Sequence, residues 1–144
     1  MADAVTGQCL CGAVRISGTV EERAIQACHC GQCRRWTGGG PLTSVRVHDL
    51  KVEGEDAIRT FHVSEWGERA FCGTCGSTLY WSMRDRQPAY VTVGLLDDQS
   101  DYAVTQEIFT DARPGWFPPW AGATQSTEAE EMAKLHAFLK GENS

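Results

Sequence analysis

Seven cysteines, arranged in three short motifs, constrain this 144-residue chain more than any other feature of its sequence. The motifs are a Cys-x-Cys pair, a Cys-x-Cys-x-x-Cys triplet and a Cys-x-x-Cys pair. Their positions are Cys9, Cys11, Cys28, Cys30, Cys33, Cys72 and Cys75. An odd number of cysteines cannot all pair as disulfides within one chain, and such close spacing is typical of metal ligands or redox groups. We therefore predict that most or all of them bind zinc.

The composition is that of an ordinary soluble domain. Apolar residues make up 42% of the chain and charged residues 22%, and this length suffices for one domain with a hydrophobic core. Residues 1–6 are polar and acidic, unlike the basic and then apolar start of a secretory signal. We therefore expect a single domain over residues 1–144, located in the cytoplasm, where reducing conditions disfavour lasting disulfides.

The net charge argues against two classes of partner. It is -6 at pH 7, whereas nucleic acids and anionic membrane surfaces favour proteins that present Lys and Arg. No run approaches the roughly 18 apolar residues that a membrane span requires. We therefore expect neither nucleic acid nor membrane as a partner, and a nucleic-acid-binding zinc ribbon is disfavoured.

Alternation of apolar and polar residues predicts a mainly β fold of antiparallel strands, because turn-forming residues separate most of the segments. The predicted strands lie around Val14 and Ile16, around Val45 and Val47, and over residues 58–63, 77–81, 89–93 and 103–109. A short helical turn is expected over residues 31–37. A C-terminal helix is predicted to begin at a capping box formed by Thr127 and Glu130 and to end at Gly141.

Three prolines make residues 113–120 a loop rather than the interior of a helix or strand. The loop also carries the aromatic residues Trp116, Phe117 and Trp120. We predict that these side chains pack on the sheet. The alternative is that they line a ligand pocket.

The spacing divides the cysteines into a set of four and a set of three. A Cys-x-x-Cys on a tight turn directs two sulfurs at one point, and local kinking can do the same for a Cys-x-Cys on an extended strand. The two pairs then supply a closed, structural zinc site, formed by Cys9, Cys11, Cys72 and Cys75. The triplet can bind a second zinc and leave one position open, which is typical of catalytic zinc. Its members are Cys28, Cys30 and Cys33.

Other interpretations stay open. The third motif can be a redox pair, although its surroundings predict strand, turn and strand rather than a βαβ unit. The triplet can be a second structural site, with His29 or a distant histidine as its fourth ligand. An extended backbone would direct His29 away from Cys28 and Cys30, which favours a supporting or packing role. Arg34 and Arg35 can attract an anionic substrate, offset thiolate charge or simply be solvated.

Three stretches of the sequence resemble the glutathione-dependent formaldehyde-activating enzyme family, which also includes the domain of centromere protein V. They are residues 7–15, 28–35 and 71–77, and residues 93–97 are similar to a weaker family signature. The resemblance implies a β-tent fold of packed antiparallel sheets with zinc at their edges. It also implies the same division of the cysteines, with a structural zinc at the set of four and a more labile zinc at the triplet, near the active site.

The resemblance implies an activity as well. The founding reaction of the family condenses glutathione with formaldehyde to S-hydroxymethylglutathione, and it is classed as a carbon–sulfur lyase reaction in the reverse direction. We therefore predict a zinc-dependent enzyme that joins or splits a thiol and a small aldehyde, with Cys28, Cys30 and Cys33 at its catalytic centre. Arg34 or Arg35 can hold a substrate carboxylate. The alternative is a non-catalytic, zinc-stabilised protein-binding module.

Overall fold

The computed structural model describes residues 2–83 and 89–141, and strands dominate these ranges. The strands are β1 (Asp3–Gln8), β2 (Arg15–Val20), β3 (Ala24–Cys28), β4 (Leu42–Glu53), β5 (Ile58–Phe61), β6 (Gly67–Cys72), β7 (Thr78–Met83), β8 (Ala89–Thr92), β9 (Ala103–Ile108) and β10 (Thr124–Ser126). The α-helices in these ranges are α1 (Gly31–Thr37) and α2 (Glu128–Leu139). The predicted mainly β fold with a short C-terminal helix is confirmed.

The chain divides into two compact units. Unit 1 comprises Met1–Ile25 and Ser44–Ala103, and unit 2 comprises Gln26–Thr43 and Val104–Ser144. The single domain expected over residues 1–144 stays a prediction. Residues 1, 84–88 and 142–144, which that prediction includes, lie outside the described ranges.

Unit 1 is built on antiparallel strands that neighbour one another in the order β1-β2-β4-β8-β7-β6-β5. The long strand β4 changes partner along its length, because residues 44–47 pair with β8 and residues 48–53 pair with β2. Asp49, just after the change of partner, has a φ of 54°, and the register with β2 shifts between Ser17 and Thr19. Such irregularities bend a strand, so β4 serves two sheets.

Alternation along these strands buries one face of the sheet. Val45 and Val47 of β4 are at most 2% exposed, whereas Arg46 between them is exposed. The same core includes Cys9 at the end of β1 and Cys72 at the end of β6, which are 1% and 0% exposed. The fold therefore carries two of the predicted zinc ligands into the core of unit 1.

Unit 2 contains a smaller core around the cysteine triplet. Cys28 and Cys33 are buried with Leu42 and Ile108. Strand β10 pairs in parallel with β9, and α2 follows directly after β10. No helix in the described ranges is long and apolar enough to cross a lipid bilayer.

Helix α2 begins and ends as its sequence predicts. The Thr127 hydroxyl accepts the backbone N–H of Glu130 at 3.3 Å, and the Glu130 carboxylate accepts the N–H of Thr127 at 3.0 Å. Gly141 follows the helix with a φ of 78°, a conformation that glycine adopts readily. The predicted capping box is therefore present.

Candidate active site and metal centres

The four cysteines predicted as structural ligands meet in unit 1. The sulfurs of Cys9, Cys11, Cys72 and Cys75 all lie within 4.8 Å of one another. Sγ of Cys11 is 3.7 Å from Sγ of Cys9 and 3.9 Å from Sγ of Cys72. A tetrahedral zinc ion with Zn–S bonds of about 2.3 Å places its sulfur ligands about 3.8 Å apart. The donor set therefore fits zinc.

Two turns of similar construction hold these sulfurs. In each turn the amide of the first cysteine donates to the carbonyl five residues later, from Cys9 to Val14 at 3.0 Å and from Cys72 to Ser77 at 2.9 Å. A glycine with a φ of 81° lies within each turn. The first pair was predicted to lie on a kinked strand, and this is wrong. The hydrogen bond from Cys9 closes a turn after β1, and Cys11 lies on that turn.

Desolvation opposes ionisation of Cys9 and Cys75, but hydrogen bonds outweigh it and lower the pKa of both thiols. The pKa of Cys11 is instead raised to about 11, because its hydrogen bond with the backbone of Ala13 is outweighed by desolvation and the neighbouring thiols. The Ser77 hydroxyl is 3.2 Å from Sγ of Cys75, and this bond, helped by the Ser77 backbone amide, lowers the pKa of Cys75 to about 5. The amide of Cys75 donates to Sγ of Cys72 at 3.4 Å, and the amide of Val14 donates to Sγ of Cys9 at 3.3 Å. Because zinc binds the thiolate form of cysteine, these bonds suit a metal site.

The three sulfurs of the triplet meet in unit 2, where they lie within 4.8 Å of one another. Cys28 ends β3 and Cys30 is the N-cap of α1, with its Sγ accepting the amide of Cys33 at 3.3 Å. The first turn of the helix thus brings Cys33 back beside Cys30. Cys28 and Cys33 are buried, and Cys30 is partly exposed.

The neighbouring thiols of the triplet disfavour ionisation of Cys28. Hydrogen bonding to the thiols of Cys30 and Cys33, with a further contribution from burial, raises the pKa of Cys28 far above its ordinary value. A bound metal ion reverses this effect because coordination deprotonates a thiol. No fourth Cys, His, Asp or Glu of the described residues joins the group. The donor set therefore fits a metal ion that keeps one position open.

His29 lies outside the sulfur group, and a buried carboxylate holds its imidazole. Nε2 of His29 is 2.8 Å from Oε1 of Glu107, and the two side chains are 1% and 0% exposed. The backbone N–H of His29 donates to the carbonyl of Ile108 at 3.1 Å. The ring of Phe117 packs edge-on at a centroid distance of 5.6 Å. His29 therefore occupies a supporting position, as the extended backbone predicts.

Glu107 accepts hydrogen bonds from several directions. The amide of Trp120 donates to Oε2 at 2.9 Å, Nε2 of Gln125 donates to Oε2 at 2.8 Å, and Nη2 of Arg113 lies 3.3 Å from Oε1. Burial raises the pKa of Glu107, but the bonds from Gln125, His29 and Trp120 and the charge of Arg113 outweigh it. The pKa stays below its usual value, so the buried carboxylate is an anion.

Sequence reasoning missed Glu107, Gln125 and Arg113 as parts of this site. The sequence contains one indication of a buried acid, because Glu107 lies near the apolar end of a predicted strand, directly before Ile108. A carboxylate in that position requires hydrogen-bonding partners if it is buried. The sequence does not identify these partners, because His29 lies 78 positions away from Glu107.

The aromatic loop, residues 113–120, only partly matches its prediction. Phe117 packs against His29, and its ring centroid lies 5.3 Å from that of Trp120 and 5.5 Å from that of Trp116. Trp116 is 69% exposed, so the prediction that it packs on the sheet is wrong. The prolines around it keep the backbone out of regular structure, and the side chain extends into solvent.

Arg34 and Arg35 are exposed on α1, beside the triplet. Both side chains lie near the first residue of the helix. A Cβ atom on Gly31 would lie 3.1 Å from Nη1 of Arg35 and 3.8 Å from Nη2 of Arg34. Two guanidinium groups therefore lie close to the residue that follows Cys30.

Comparisons with known proteins identify the family of this chain. The family described as glutathione-dependent formaldehyde-activating enzyme matches residues 4–112, a range that includes all seven cysteines. An uncharacterized lyase of Schizosaccharomyces pombe is 25% identical over 129 residues, which are 89% of this chain and 93% of that protein. A Rhodobacter sphaeroides protein of known crystal structure supports the fold, with a TM-score of 0.56, 23% identity and coverage of 85% of this chain and 99% of its own. The chain belongs to the glutathione-dependent formaldehyde-activating enzyme family.

Proposed function

We propose that this protein is a zinc-dependent lyase-type enzyme that forms or breaks the carbon–sulfur bond between a thiol and a small aldehyde. The family match and the lyase name of the yeast relative support a lyase-type enzyme. The observation that carries the finer proposal is the triplet, a group of three sulfurs that no fourth protein ligand joins in the described ranges. Formaldehyde and a thiol like glutathione are the substrates that the family suggests.

The two sulfur groups take different roles in this proposal. Cys9, Cys11, Cys72 and Cys75 hold a structural zinc, because four thiolates complete a tetrahedron. Cys28, Cys30 and Cys33 would hold a second zinc at the catalytic centre, and a zinc ion with an open position would lower the pKa of a substrate thiol bound there. The second zinc is the more labile of the two, since it has one protein ligand fewer.

The proposed reaction is an addition and its reverse. The sulfur of the thiol forms a bond to the carbonyl carbon, the carbonyl π electrons move to oxygen, and the proton released by the thiol ends on that oxygen. In the reverse direction the carbonyl reforms, the carbon–sulfur bond breaks with its electron pair moving to sulfur, and the hydroxyl proton ends on the thiol. The task of the protein is to hold the thiol beside the triplet and to orient it toward the aldehyde.

Arg34 and Arg35 provide a means of orienting a thiol that bears a carboxylate. Their guanidinium groups lie close together beside Gly31, and guanidinium binds carboxylate through paired hydrogen bonds. We propose that they bind a carboxylate of the thiol substrate while its sulfur reaches the triplet. Glutathione carries two such groups.

Substituting both arginines should therefore weaken only the anionic thiol. Arg34→Ala/Arg35→Ala is expected to raise KM for glutathione about tenfold, because a charge-assisted hydrogen bond contributes about 1.5–3 kcal/mol. KM for 2-mercaptoethanol, a neutral thiol, should stay unchanged. Steady-state rates of adduct formation with formaldehyde, corrected for the spontaneous reaction, measure both values. Arg46→Ala removes an exposed arginine of unit 1 and serves as the matched control.

An equal rise in KM for both thiols would exclude carboxylate binding by these arginines. The same assay on the wild-type protein tests the proposed function itself. An acceleration of adduct formation or cleavage above the spontaneous rate is expected. A protein loaded with zinc that accelerates no thiol adduct would instead favour the protein-binding module, for which the exposed Trp116 is a contact candidate.

A further inference from the structure

We propose that Glu107 is a positioning residue that fixes the triplet in place through His29. This inference rests on the proposed function only in taking the triplet as a metal site. It concerns how the chain prepares that site, and it names a residue that is neither a metal ligand nor in contact with substrate.

His29 is attached to β9 through both its side chain and its backbone. Its imidazole contacts the side chain of Glu107 at 2.8 Å, and its backbone N–H donates to the carbonyl of Ile108 at 3.1 Å. Two neighbouring residues of one strand thus hold both the side chain and the backbone of the residue between Cys28 and Cys30. The positions of these two cysteines are therefore set by β9.

Burying the carboxylate of Glu107 costs free energy. The side chain of Glu107 is 0% exposed, and a buried charge is strongly unfavourable unless hydrogen bonds compensate for it. Well-packed apolar residues of similar volume often stabilise a core as well as a buried ion pair does. The carboxylate provides directional hydrogen bonds, because its oxygens accept them only from defined positions. Directional bonds suit a site in which the sulfur atoms must be held at metal-binding distances.

Glu107 also holds both ends of the aromatic loop. Nη2 of Arg113, at the start of the loop, lies 3.3 Å from Oε1, and the amide of Trp120, at its end, donates to Oε2. Phe117, within the loop, packs on the ring of His29. One anion therefore fixes the triplet backbone and the loop beside it.

Two substitutions of His29 separate the hydrogen bond from the imidazole. His29→Gln keeps an N–H donor near the position of Nε2, whereas His29→Leu fills the space without a donor. The affinity of the triplet for Co²⁺ is measured by chelator competition, using the thiolate-to-cobalt absorption bands. His29→Leu is expected to lower this affinity about tenfold or more, the usual effect of losing a supporting hydrogen bond at a metal site. His29→Gln should remain close to wild type. Glu107→Gln replaces one acceptor oxygen by an NH2 donor, which would face either His29 and Arg113 or Trp120 and Gln125, all of them donors. It should therefore change the affinity in the same direction as His29→Leu.

The controls lie in unit 1. The four-cysteine site reports in every variant whether unit 1 still folds, and its Co²⁺ affinity should not change. Thermal unfolding followed by circular dichroism reports whether the rest of the chain folds. His62→Leu removes a partly exposed histidine that contacts Glu68 at 3.6 Å, and it should leave both sites unchanged. If His29→Leu does not fold, Glu107→Gln decides the question alone, provided that circular dichroism shows this variant to be folded.

Two results would overturn the inference. One is a triplet affinity in both His29→Leu and Glu107→Gln equal to that of the wild type. The other is an equal loss in His29→Gln and His29→Leu, which would make the imidazole itself the essential group. If the wild-type triplet binds no Co²⁺, the same variants are compared by the rate of amide hydrogen exchange of residues 28–33 and 116–120 instead of by Co²⁺ affinity. None of these measurements depends on turnover. Failure of this inference can therefore be distinguished from failure of the proposed enzymatic activity.

Discussion

Cys72→Ser is expected to leave unit 1 unfolded or nearly so. Cys72 is fully buried in the core of unit 1, and its sulfur lies among the four that fit a structural zinc. Structural zinc contributes about 10–16 kcal/mol in small zinc domains, which is comparable with the whole stability of a typical domain. Losing one of four thiolates is therefore expected to cost several kcal/mol. Circular dichroism during heating, together with zinc content, measures the effect.

A matched control separates the effect of losing a metal ligand from the effect of burying a hydroxyl group. Ala70→Ser lies on the same strand, at a residue that is also 0% exposed, and it adds a hydroxyl without removing a sulfur. Its expected cost is about 1–3 kcal/mol, the cost of an unsatisfied buried polar group. If Cys72→Ser is no less stable than Ala70→Ser, unit 1 does not depend on a metal.

Cys33→Ser is expected to abolish the thiol chemistry while the protein stays folded. The substitution leaves the triplet with two sulfurs, and a metal ion that polarises a substrate contributes several kcal/mol to the transition state. We expect kcat/KM for the thiol adduct to fall about 10²–10³-fold, since each 1.4 kcal/mol corresponds to a factor of ten. Thermal unfolding of unit 1 should stay near that of the wild type, because Cys33 belongs to unit 2.

The control for this second substitution lies on the same helix. Gln32 is exposed and contributes no sulfur, so Gln32→Ala tests whether any change in α1 reduces turnover. It should retain most of the activity. Full turnover by Cys33→Ser, with adduct formation still above the spontaneous rate, would remove the triplet from the catalytic centre.

The sequence was sufficient to group the cysteines, because ligand spacing is a local property. The same is true of α2, whose start depends on Thr127 and Glu130 three positions apart, and of the segments with a clear period of two. These features depend on neighbours along the chain. They were accordingly predicted within a few residues of their observed bounds.

Features that depend on distant partners were missed. Strand β1 was not predicted, because its largely polar sequence forms a strand through pairing with β2. Strand β10 has three residues and exists only because it pairs with β9. The role of Glu107 depends on its hydrogen bonds with His29, Trp120 and Gln125, which the sequence around Glu107 does not indicate. Each of these required knowledge of a contact that no local pattern contains.

The zinc content of reduced protein before and after mild chelation, with thiol-adduct turnover measured on the same samples, tests the catalytic zinc most directly. Close to two zinc ions per chain are expected, one for each sulfur group. Mild chelation should remove one of them, with a parallel loss of turnover, unchanged thermal unfolding and recovery when zinc is restored. A single tightly held zinc with full turnover would contradict the assignment of a catalytic zinc to Cys28, Cys30 and Cys33.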